Sequence, residues 1–119
     1  MKRTLILGAS PNINRYAYKA AHMLKEYGHE IVNVGIKKGE LAGEKIHNHK
    51  AVFQGVDTVT LYIGAQHQPE WYTYILETKP KRLIFNPGTE NPELASLADA
   101  HDIETLQACT LVMLSVGNY

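Results

Sequence analysis

The chain has 119 residues, of which 45% are apolar and 20% charged, and its twelve Lys and Arg balance twelve Asp and Glu. That composition supports one hydrophobic core and excludes a disordered chain or a strongly basic binder of nucleic acid or anionic membrane. A single cysteine excludes an intrachain disulfide framework or a multi-cysteine zinc cage. No stretch approaches the roughly 20 apolar residues of a membrane span. After the basic start Met1–Thr4, the apolar run Leu5-Ile6-Leu7 is too short for a signal peptide. A single domain over 1–119, in the cytoplasm, is expected.

In chain order, the apolar runs Thr4–Leu7, Ile31–Val34, Val59–Ile63 and Leu83–Phe85 predict four strands, and Ile103–Leu106 a weaker fifth. The first four are continuous rather than alternating, as in strands buried on both faces of a parallel sheet. Between the first two strands, Arg15 to Tyr27 has helical period, with Tyr16, Ala20, Met23, Leu24 and Tyr27 near one face and Gly28 placed to end the helix. A polar loop is expected from Lys37 to Gln54, with a short edge strand near Glu44 to His47. Further helices are predicted to open at Gln68-Pro69-Glu70, at Asn91-Pro92-Glu93 and near Thr110. In the third of these four helices, Leu94, Leu97 and Ala98 should face the sheet; in the fourth, Leu111, Met113 and Leu114 are the apolar residues. The alternation implies an α/β fold, a three-layer Rossmann-like doubly wound parallel sheet of about five strands in the order 2-1-3-4-5.

In such a sheet a ligand lies at the carboxyl ends of the strands, where the strand order switches. Four loops meet that condition. After the first strand, Gly8-Ala9-Ser10-Pro11-Asn12 leads into a helix start, where backbone N–H groups and the helix dipole favour phosphate. Ser10 and Asn12 add side-chain donors and Arg15 a cation. Tyr18 lies one turn into that helix. After the second strand, Val34-Gly35 is followed by Lys37 and Lys38, with no acid to hold the ribose hydroxyls of a nicotinamide cofactor. Two lysines there suit an additional ribose phosphate, as in coenzyme A or NADP, better than NAD. Gly64–Gln68 and Asn86–Thr89 form the other two loops, and His67 can approach the crevice from the first of them.

Other clusters carry less. Lys79-Pro80-Lys81-Arg82 precedes its strand and is read as a solvated face at the opposite end of the sheet. His47 and His49 lack a third metal ligand nearby. Cys109 follows the last strand and is read as a packed thiol, while Tyr16, Tyr27, Tyr62 and Tyr72 fall at expected core positions. Neither a nucleophile elbow nor a Walker loop is present, and Ser10 lacks an identifiable base. A binding module is expected rather than an enzyme.

The residues Leu7-Gly8-Ala9-Ser10-Pro11-Asn12, Gly28–Gly35, Gly39–Ile46, Val56–Val59 and Ala108-Cys109, in that order and spacing, resemble the stand-alone coenzyme A-binding domain family. That family is similar to the N-terminal domain of the succinyl-CoA synthetase alpha subunit. The resemblance implies binding of coenzyme A or an acyl-CoA through its ADP portion. Gly8, Ala9, Ser10, Asn12 and Arg15 would form the phosphate loop, Val34 with Lys37 or Lys38 would take the adenosine and 3′-phosphate, and residues near Gly64 the crevice wall. Cys109 matches a cysteine common in the family. The chain departs from the family where Arg15-Tyr16-Ala17-Tyr18 replaces a Pro-Ser-Tyr run, and where Asn86–Glu90 replaces a more apolar loop. An NADP-dependent oxidoreductase and a regulatory module with a vestigial crevice are the alternatives.

Overall fold

The computed structural model describes all residues from Met1 to Tyr119. Four strands, β1 (Thr4–Leu7), β2 (Ile31–Val34), and those over Thr58–Leu61 and Arg82–Phe85, are buried at every position. Apolar runs of that kind need a layer on each side, and the fold supplies both.

Numbered along the chain, the two-residue strand Glu40–Leu41 is β3 and Glu44–His47 is β4. Thr58–Leu61 is β5, Arg82–Phe85 is β6 and Glu104–Gln107 is β7. They form one sheet of seven strands in the order β3-β4-β2-β1-β5-β6-β7, parallel except for the antiparallel pair β3–β4. The five strands expected from the sequence keep their expected order, β2-β1-β5-β6-β7. The count of about five is corrected to seven, because part of the stretch expected as a polar loop folds as a β-hairpin whose second strand is the expected edge strand.

The hairpin turns at Ala42 and Gly43, both at positive φ (53° and 80°). Two such residues give the twist that a two-residue hairpin turn requires. Asn33, the one polar residue of β2, is fully buried, and its amide donates to the carbonyls of Leu41 (2.9 Å) and Glu44 (3.1 Å). The hairpin is therefore tied to β2 by a side chain as well as by strand pairing.

Helix α1 (Tyr16–Glu26) and helix α4 (Thr110–Val116) cover one face of the sheet; α2 (Tyr72–Thr78) and α3 (Pro92–Ala100) cover the other. α1 packs with Ala17, Ala20, Ala21 and Leu24, not with the expected tyrosines. Tyr16 is 69% exposed and Tyr27 50% exposed. Small alanines let the helix approach the sheet closely, and that preference outweighs the pull of the larger rings. The helix expected to open at Gln68 is a 3₁₀ turn, Pro69–Trp71, that leads into α2, and a second 3₁₀ turn, Ala65–His67, precedes Gln68. α3 opens as expected, with the Asn91 side chain accepting from the Glu93 and Leu94 N–H groups. Leu94 and Ala98 are buried while Leu97 is half-buried.

The basic run before β6 is not uniformly solvated. Arg82 is 7% exposed, its Nε donates to Thr58 Oγ1 (2.7 Å), and its guanidinium lies 4.3 Å from the centre of the Tyr119 ring. A guanidinium stacks on an aromatic face where an ammonium would demand water, so it tolerates this burial.

Candidate functional site

The strand order switches between β1 and β5, and a cavity of about 540 Å³ opens at their carboxyl ends. Its floor is the loop after β1. The Gly8 and Ala9 N–H groups donate to the Val34 carbonyl (2.9 and 3.1 Å). Gly8 takes φ 97°, and a Cβ there would lie 2.7 Å from Ile63 Cγ2 and 2.9 Å from the Tyr62 carbonyl oxygen. The turn therefore needs glycine on steric and conformational grounds.

Ser10 Oγ accepts from the Asn12 N–H (3.1 Å), and Asn12 Oδ1 accepts from the Asn14 N–H (2.9 Å). These contacts brace the loop, and no side chain caps the α1 N-terminus that follows it. Arg15, at the helix start, lines the cavity beside Ser10, and no acidic residue occupies the first turn. An uncapped helix start of this kind presents N–H groups and a positive dipole end.

The loop after β2 forms one wall. Gly35 is packed so closely on the β1 loop that a Cβ would lie 3.0 Å from the Ala9 carbonyl oxygen. Ile36, 78% exposed, and Lys37 face the cavity. The opposite wall comes from the β5 and β6 loops: Tyr62, Ile63, Gly64, His67, Glu70 and Trp71 from one, Pro87, Gly88 and Thr89 from the other.

Of the residues singled out from the sequence, the structure brings Gly8, Ala9, Ser10, Arg15, Gly35, Lys37 and Gly64 to this cavity. Pro11, Asn12, Tyr18, Val34 and Lys38 are not part of its lining. Val34 is fully buried in the sheet, so the apolar residue available from this loop is Ile36. Tyr18 packs against His22 (ring centres 4.4 Å apart, rings tilted by 45°) in a groove beside Glu40 and Ala42 of the hairpin segment. Tyr16 takes the rim position expected of Tyr18, because the alanine stripe sets the rotation of α1. Sequence reading also missed Ile36, Glu70 and Trp71. The signal for Ile36 was an isolated apolar residue in a loop of glycine and lysine.

The far wall is held by a buried polar network. The Asn86 amide donates to Thr60 Oγ1 (2.7 Å) and the Leu61 carbonyl (2.8 Å), and its Oδ1 accepts from the Thr110 N–H (2.9 Å). Gln68 donates to the carbonyls of Ile63 (3.0 Å) and Thr89 (2.8 Å), while its Oε1 accepts from Asn91 (2.9 Å). The segments that follow β5, β6 and β7 are thereby joined. Burial pushes the Tyr62 phenol up to about 12, so it stays protonated at neutral pH. Cys109 is half-buried at the start of α4.

Known proteins share this architecture. A crystal structure of an uncharacterized protein is 59% identical and superposes with a TM-score of 0.99, covering 100% of this chain and 98% of the other. A Thermus thermophilus protein is 20% identical, with a TM-score of 0.86 over 99% of this chain and 90% of its own. A hypothetical protein from Pyrococcus horikoshii OT3 is 22% identical, with a TM-score of 0.87 over 97% and 82%. These last two likenesses are of fold. No curated protein matches the chain. No helix is long and apolar enough to cross a membrane. The CoA binding domain family matches residues 2–115, nearly the whole sequence, and the chain belongs to that family.

Proposed function

We propose that this protein binds coenzyme A or an acyl-CoA in the strand-end cavity, as a binding module without chemistry of its own. The diphosphate lies on the Gly8–Ser10 loop at the α1 N-terminus, with Arg15 beside it, and the 3′-phosphate meets Lys37. Ile36 and Tyr16 offer apolar surface to the adenine. The observation that carries the reading is the pairing, across one cavity, of an uncapped helix start with Lys37 on a β2 loop that bears no acid. The membership in a CoA binding domain family supports it.

Titration calorimetry with coenzyme A and dephospho-coenzyme A tests the reading. The protein should prefer coenzyme A, and Lys37→Ala should remove that preference with an affinity loss of about five- to tenfold, the effect of one exposed charge-assisted contact. Lys38→Ala should leave it in place, because Lys38 lies off the cavity. Equal affinity of the wild-type protein for both ligands would defeat the role given to Lys37. NADPH is the control, since a lysine suits a 2′-phosphate equally well; tighter binding of NADPH than of coenzyme A would favour the oxidoreductase alternative.

A further inference from the structure

We infer that Asn48 is a positioning residue for the cavity lysine, acting through the backbone of the loop that carries Lys37. The inference rests on the coenzyme A reading above.

Lys37 is exposed, and the protein's two ion pairs involve Arg3 and Lys25 instead. A lysine head group on a four-carbon stem has wide rotamer freedom, so the region it samples is set by where its backbone is held. At one end of the loop the Gly35 N–H donates to the His47 carbonyl (3.1 Å). At the other, the Gly39 carbonyl accepts from the Ile46 N–H (2.9 Å). Between these anchors, the side-chain amide of Asn48 donates to the Gly35 carbonyl (2.7 Å) and to the Lys37 carbonyl (2.8 Å). One NH₂ group bridging two carbonyls two residues apart fixes the curvature of the turn, and both its hydrogens are committed to that task.

Asn48 directly follows β4, whose His47 is paired with Val34 of β2. That pairing delivers the amide to the loop. The edge hairpin thus becomes a support for the cavity wall although none of it lines the cavity. Asn48 does not line the cavity, so replacing it removes no direct ligand contact.

The test is calorimetry with coenzyme A and dephospho-coenzyme A on wild type, Asn48→Ala, Asn48→Asp, Lys37→Ala and the Lys37→Ala/Asn48→Ala double variant, with thermal melting to verify folding. Asn48→Ala and Asn48→Asp both lose the donor. Each should weaken coenzyme A binding by about three- to tenfold while dephospho-coenzyme A changes by less than about twofold. The double variant should lose no more than Lys37→Ala alone, since the amide acts through the lysine. Equal weakening of both ligands in Asn48→Ala, an unchanged preference, multiplied losses in the double variant, or a loss confined to Asn48→Asp would each overturn the role of Asn48. A wild-type protein that binds the two ligands equally would overturn the lysine reading and this inference together. A wild-type preference that is undiminished in Asn48→Ala overturns this inference alone.

Discussion

Gly8 is constrained both by its dihedral angles and by what surrounds it. At φ 97° any Cβ is strained, and here it would also meet Ile63 Cγ2 at 2.7 Å and the backbone of Tyr62 at 2.9 Å. Gly88 has a similar φ of 91° but nothing within 4 Å of a Cβ. Gly8→Ala should therefore cost about 2–3 kcal/mol of stability and Gly88→Ala about 1 kcal/mol, the difference being the steric contribution. Urea unfolding of the two variants measures this, and equal losses would refute the packing argument. The sequence placed Gly8 in a loop suited to a phosphate. The fold shows that the end of β5 also requires the absent side chain. Val34 illustrates the opposite case. It was assigned to the adenosine by resemblance, but a strand position two residues earlier than Ile36 belongs to the sheet interior, and only the tertiary register separates the two.

At the scale of elements, the start of α3 was legible: Asn91-Pro92-Glu93 combines a cap, a preset φ and an acid at the positive helix end. What could not be read was the second role of Asn91, whose Nδ2 donates to Gln68 Oε1 (2.9 Å) and the Tyr72 hydroxyl (2.8 Å). Asn91→Ala removes the cap and leaves the buried Gln68 oxygen unpaired, with an expected cost of about 2–3 kcal/mol. Asn91→Ser keeps a cap oxygen but is too short to reach Gln68, so its cost should fall between Asn91→Ala and wild type. Chemical denaturation distinguishes the two; equal costs would show that the cap contributes nothing, and an unchanged stability in Asn91→Ser would show that the link to Gln68 contributes nothing. The hairpin was half legible. Glu44–His47 was expected as an edge strand, whereas β3 is two residues long and its turn places an alanine at φ 53°, which no local preference predicts.

For the whole molecule, titration of buried groups sets the pH range of stability. Burial pushes the phenols of Tyr62 and Tyr74 up to about 12 and raises that of Tyr119. The unfolded chain releases these protons near 10, so above that pH it holds fewer protons than the folded one. Stability should fall as pH rises from about 10 toward 12. His29 behaves in the other direction. Burial, followed by the charges of the N-terminus, Lys2 and Arg82, lowers its pKa below 6.5, and its Nδ1 accepts from the Lys2 N–H (2.9 Å), which requires the neutral ring. The unfolded state then binds more protons below 6.5, so His29 contributes a loss of stability as pH falls through that value. Thermal melts across pH should show a plateau between these limits, and His29→Gln should flatten the decline as pH falls below about 6.5. A decline of unchanged steepness in that variant would exclude His29 as its source.

The sequence by itself determined the layered α/β architecture, the order of its five principal strands and the strand ends at which the cavity opens. These follow from continuous apolar runs, helix boundaries and the right-handed crossover, all of which are local or generic. Tertiary structure alone decided which neighbours of those strand ends face the cavity: Tyr16 rather than Tyr18, Ile36 rather than Val34, Lys37 and not Lys38. The rotation of α1 depends on how closely its alanines seat on the sheet, and the aim of the lysine loop depends on an amide donated by Asn48, just past the hairpin and eleven to thirteen residues away. Both are set by contacts between segments distant in sequence, which no local pattern encodes.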